Sequence, residues 1–172
     1  HAWDQTSGSD GGTADLVTTG GSSVIATEDW NPVRYSGGSG VWVGNWTETG
    51  DDGSASGGNI KIATVGQVVA DDSSYLQMSL SSSAGIERGV DLSGLDSATL
   101  SFYYEENTQS FGGQIGVQAW NGSTWVPLHT IDIDIVNYSG VNGVFSGEID
   151  IPDPGTISKI RFYVTDTAFN DV

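Results

Sequence analysis

Val117-Gln118-Ala119-Trp120-Asn121-Gly122-Ser123-Thr124-Trp125 decides the fold class of this chain. Asn-Gly between two runs rich in β-formers predicts a hairpin with a type I′ turn, because both central residues of that turn need positive φ. Trp120 and Trp125 flank the turn and are placed to pair across it. Upstream, Ile115, Val117 and Ala119 share one face of a strand while Gln118 and Trp120 share the other.

The same alternation recurs along the chain. Short β segments are expected near 23–27, 59–64, 75–80, 86–92, 98–105, 113–120, 124–131, 144–151 and 157–165. No helical periodicity longer than about two turns interrupts them. Leu76, Met78 and Leu80, then Leu100, Phe102 and Tyr104, then Ile160, Phe162 and Val164 join Ile115, Val117 and Ala119 as the expected core. The spacing predicts an all-β, antiparallel β-sandwich with long Gly/Asp-rich loops. Residues 1–22 read as a lead-in or long loop, and 23–172 as a single domain. The stretch 28–58 reads as a long, ordered, Gly-rich loop carrying Trp30, Tyr35, Trp42 and Trp46, a kind of loop that is often functional.

The outward faces carry Ser101, Tyr103 and Glu105, then Gln118 and Trp120, then Lys159, Arg161 and Tyr163. If those strands are neighbours, the residues form either a ligand platform of aromatics and convergent polar groups or an ordinary solvated face with cross-strand pairs.

Twenty-two carboxylates against five Lys and Arg leave a formal net charge of -17. The acids cluster in short turns such as Gly50-Asp51-Asp52-Gly53 and Ala70-Asp71-Asp72-Ser73. Such an excess repels itself, and either bound cations or a salty medium must offset it. Oxygen-rich turns suit Ca²⁺, which takes six to eight hard oxygen ligands. No EF-hand loop is present, so sites would be assembled from separate loops: Asp51 with Asp52, Glu28 with Asp29, Asp71 with Asp72, and Asp166 with Asp171. Each of these acids also reads as a turn-former.

Other chemistries find little support. Cysteine is absent, which excludes disulfides and thiolate sites. No apolar run approaches the ~20 residues of a membrane helix, and the few cations argue against nucleic acid and anionic membranes as partners. Only His1 and His129 exist, and no G-x-S-x-G elbow accompanies them. Glu148-Ile149-Asp150-Ile151-Pro152-Asp153 resembles the E-x-D-x-x-E strand of jelly-roll laminarinase- and agarase-type glycosidases. Its third acid, however, lies between Pro152 and Pro154, where a strand does not continue regularly. The chain is therefore expected not to be an enzyme. Asn45, Asn121 and Asn137 begin glycosylation sequons, which matter only in a eukaryotic secretory pathway.

Tyr75–Met78, Ile86–Leu95 and Ser97–Tyr104, with the Gly122–Trp125 hairpin, the closing Ile160–Val164 and the upstream Trp42–Glu48 running into Asp51-Asp52, carry a resemblance. Together they resemble a jelly-roll β-sandwich module of large secreted bacterial proteins, the most specific piece being Val90–Phe102. The module is similar to the ligand-binding domain of calcium-dependent RTX adhesins. The resemblance implies a calcium-dependent adhesion module at the bacterial surface, within a larger, biofilm-type protein. It would be monomeric and bind a peptide or glycan. Trp42, Trp46, Tyr103 and Trp120 would offer stacking surface beside Glu105, Gln118, Arg161 and Tyr163. A carbohydrate-binding module of a secreted polysaccharide hydrolase and a calcium-stiffened spacer stand as alternatives. The module usually finishes with a further aromatic strand, which would lie beyond Val172 or be replaced by the N-terminal segment.

Overall fold

The computed structural model describes residues 14–17, 26–64, 74–106, 113–133 and 141–167. It is all-β and antiparallel, without an α-helix among the described residues. One five-stranded sheet contains β1 (Ala14–Val17), β2 (Ala26–Glu28), β7 (Thr99–Glu106), β10 (Val141–Phe145) and β11 (Ile149–Asp150). Its order is β10-β7-β1-β2, with β11 also pairing with β7. The second five-stranded sheet runs β3-β6-β12-β8-β9. These strands are β3 (Trp42–Thr49), β6 (Gly85–Val90), β8 (Gly113–Trp120), β9 (Trp125–Ile133) and β12 (Lys159–Asp166). A separate hairpin pairs β4 (Ile60–Thr64) with β5 (Ser74–Met78).

The expected alternation holds where it was sharpest. Leu100, Val117, Ala119, Ile160 and Val164 are buried, as are Phe102 and Phe162, whereas Leu76, Met78, Leu80, Tyr104 and Ile115 are half-buried against them. Phe102 of the first sheet meets Phe162 of the second edge-on at 5.3 Å. His129 is half-buried, its ring 6.4 Å from that of Phe102.

The quoted hairpin forms with Trp120 opposite Trp125, their ring centroids 5.4 Å apart. The turn is not type I′, since Gly122 takes positive φ (90°) and Asn121 does not. Asn121 Oδ1 instead accepts from Ser123 N, Ser123 Oγ and Thr124 N, so the side chain holds a longer Asn121–Thr124 loop.

Three expectations change. Residues 14–17, read as lead-in, form β1 between β2 and β7, with Leu16 fully buried opposite Leu100. The segment 144–151 divides into β10 and β11. Between the pairs Phe145↔Tyr103 and Ile149↔Leu100 it carries one residue more than β7, and Gly147 at φ 76° absorbs the excess. Within 28–58, Trp42–Thr49 is β3, an edge strand rather than loop.

Candidate functional site

Strand β3 positions the acidic loop that follows it. Thr49 pairs with Gly85, which also pairs with Tyr163, so the loop after β3 leaves from the end of the sheet where β12 finishes. Glu48 is half-buried at that end, and Asp51 and Asp52 follow at once. One carboxylate oxygen from each of the three lies within 4.8 Å of the others. Backbone donors fix them: Gly53 N donates to Glu48 Oε2 at 2.6 Å, Ile60 N to Asp51 Oδ2 at 2.6 Å, and Ser54 N to Asp52 Oδ1 at 2.8 Å.

The Tyr35 hydroxyl donates to Glu48 Oε1, and the same phenol oxygen has the carbonyls of Ser54 and Ile60 at 3.4 and 3.3 Å. One phenolic proton thus faces three acceptors, in a pocket already crowded with carboxylates. Burial, the Glu48 hydrogen bond and the nearby charges of Glu48, Asp51 and Asp52 push the Tyr35 hydroxyl well above its ordinary value of 10.0.

The other expected cation ligands part company. Glu28 is fully buried and already neutralised: its Oε2 accepts from Arg88 Nη1 at 2.6 Å and Trp46 Nε1 at 2.9 Å, and its Oε1 from Trp30 N at 3.1 Å. Arg88 completes its own shell with the carbonyls of Gly37 and Gly44 and lies 5.4 and 5.9 Å from the Trp42 and Trp46 ring centroids. Desolvation lowers the Arg88 guanidinium from its ordinary value, with the Glu28 charge acting in the opposite sense. Asp29 is exposed and accepts from Asn31 N in a local turn. Asp166 ends β12 opposite Gln114, apart from the three-acid cluster. Asp71, Asp72 and Asp171 lie outside the described residues, as does the side chain of Glu105.

The expected platform divides in the same way. Trp46 is buried and Trp42 half-buried around the Glu28–Arg88 pair, so neither indole is displayed on the outer face. Tyr103 is 37% exposed, but its strand belongs to the first sheet. Gln118, Trp120, Arg161 and Tyr163 do come together, because β8 and β12 are neighbours with Arg161 opposite Gln118. Arg161 Nε donates to Gln118 Oε1 at 2.7 Å, and its guanidinium carbon lies 4.0 Å from the Trp125 centroid and 4.7 Å from that of Tyr163. Burial lowers the Arg161 guanidinium, with Glu87 and Tyr163 acting the other way.

Glu48, Arg88 and Trp125 were missed as functional candidates. Period two from Trp42 and Trp46 would have put Glu48 on their face, had β3 been read as a strand.

No protein-family model matches this chain, and neither a curated protein nor a solved structure matches it. The resemblance to an adhesin-type module accordingly rests on the sequence runs quoted above.

Proposed function

We propose that this chain is a non-enzymatic, calcium-dependent ligand-binding module, folded as a jelly-roll β-sandwich. It is of the kind that secreted bacterial RTX-type adhesins use to hold a peptide or glycan on a target surface. The observation that carries this reading is the convergence of Glu48, Asp51 and Asp52 around a phenol with more acceptors than protons. Hard oxygen donors in excess of protons suit Ca²⁺, and three carboxylates supply part of the six to eight ligands the ion takes. A bound ion would relieve repulsion among these acids and tie the loop after β3 to the start of β4, where Asp51 already holds Ile60 N. Of the glycosidase-like acids, Glu148 and Asp150 are exposed on either side of buried Ile149, and Asp153 lies outside the strand at a left-handed backbone position (φ 45°).

Thermal unfolding at fixed ionic strength, in calcium and in EDTA, tests the reading. Calcium is expected to raise the melting temperature saturably, and the Asp52→Asn variant is expected to lose that response. Identical melting curves in calcium and EDTA would overturn it.

A further inference from the structure

The outer face of β6, β12, β8 and β9 gathers cations and aromatic rings in a strongly acidic chain. Two of the five cations, Lys159 and Arg161, stand two residues apart on β12 in a chain with net charge -17. Across the strands, register places Lys159 beside Trp120, and Trp120 beside Trp125. In the next outward row, Glu87, Arg161, Gln118 and Pro127 follow one another. Lys159 Nζ pairs with Glu87 Oε1 at 2.6 Å, so these two charges offset each other and Arg161 supplies the centre's net positive charge.

Arg161 is held rather than free. Gln118 fixes its Nε, and the rings of Trp125 and Tyr163 lie beside its guanidinium. Tyr163 in turn lies against Gly85, where a Cβ would come within 2.5 Å of the ring. Among the described residues, neither Nη of Arg161 carries a hydrogen bond. A guanidinium whose orientation is set by two rings and an amide, with its terminal donors unspent, matches a planar carboxylate through two parallel bonds.

We propose that this face binds a carboxylate-bearing sugar: the acid pairs with the Nη donors of Arg161 and the sugar ring lies on Trp120 and Trp125. This deepens the ligand-binding reading above, on which it rests, but takes no step through calcium. A sugar fits better than a peptide because β12 and β8 are inner strands whose backbone groups already serve the ladder, and the edge strand β9 carries Pro127, which has no N–H to offer, in the row of Arg161 and Gln118. An extended peptide needs an open edge for its amides. A saccharide needs only side-chain partners and apolar ring faces, and Gln118 Nε2, the two indoles and Arg161 supply these.

A galacturonic-acid trisaccharide, its methyl ester and a tripeptide with a free C-terminus, each titrated into the ¹⁵N-labelled protein in calcium and in EDTA, test the proposal. The acidic trisaccharide is expected to shift the Trp120 and Trp125 indole N–H and Arg161 Nε–H signals saturably in both media. The ester and the peptide should bind about tenfold more weakly, as should the acid to Arg161→Lys, which keeps the charge but not the fork. Ester or peptide binding as tight as the acid, or shifts that avoid these three signals, would overturn it. Acid binding that persists while calcium has no effect on melting would leave this proposal standing and remove the calcium reading alone.

Discussion

At the scale of single residues, the least expected feature is an ion pair with almost no access to water: Glu28 is 0% and Arg88 6% exposed. A buried pair gains less than its Coulomb attraction suggests, because both charges lose hydration, yet removing one partner strands the other. The Arg88 contacts with Glu28, Gly37, Gly44 and Trp42 tie the 26–44 segment to β6. Glu28→Gln is therefore expected to cost about 3–5 kcal/mol, read by urea unfolding, with Glu28→Gln/Arg88→Met recovering part of the loss. Tyr35 makes a separate, pH-dependent prediction. Its hydroxyl is raised in the folded state, so the native protein holds the proton more tightly than the unfolded chain does. The resulting stability is complete below the unfolded value near 10 and falls as pH rises above it. Stability measured from pH 8 to 12, marked roughly by the tyrosine range, should therefore decline more steeply in the wild type than in Tyr35→Phe.

At the scale of elements, legibility followed the alternation. Strands β8 and β12 were readable because large apolar side chains recur at every second position, and the structure places them as expected. Strand β3 was not, because Gly44 and Asn45 interrupt it and Thr-rich positions give it little apolar signal. Its register explains the interruption. Between Val43↔Gly89 and Thr47↔Glu87, the residues Gly44, Asn45 and Trp46 stand opposite Arg88 alone, so the surplus is even and the strand returns in phase. The bulge also turns the Gly44 carbonyl onto Arg88 Nε at 2.9 Å. The buried pair was not legible in the sequence, because nothing local links Glu28 on β2 to Arg88 on β6, a strand of the other sheet. Two glycines test this account. Gly44 has positive φ (71°) and open space where a Cβ would go, so Gly44→Ala is expected to cost only the backbone term, about 1–2 kcal/mol. At Gly38 (φ 78°) a Cβ would lie 2.6 Å from Thr27 O and 2.8 Å from Glu28 Oε2, so Gly38→Ala should cost distinctly more in the same denaturation series.

At the scale of the whole molecule, the charge of -17 sets two competing accounts of stability that differ in ion specificity and dose. Diffuse repulsion is relieved by any salt and weakens as the screening length falls from about 8 Å at physiological ionic strength to about 3 Å at 1 M. A specific ion instead stabilises by mass action, about 2.7 kcal/mol at a hundredfold excess over its dissociation constant. For a domain of this size that is a rise of roughly 5–10 °C in melting temperature. The discriminating variant is Asp52→Asn, because Asp52 is exposed and an asparagine Oδ1 still accepts from Ser54 N. Without calcium it removes one repelling charge and keeps the turn, so its melting temperature in EDTA should equal or exceed that of the wild type. With calcium the order should reverse, since the wild type gains the ion's contribution and the variant does not. Sodium chloride at matched ionic strength should stabilise both proteins alike and leave their order unchanged. A wild type that responds equally to both salts would assign its stability to screening, and the three acids beside Tyr35 would then be a solvated turn.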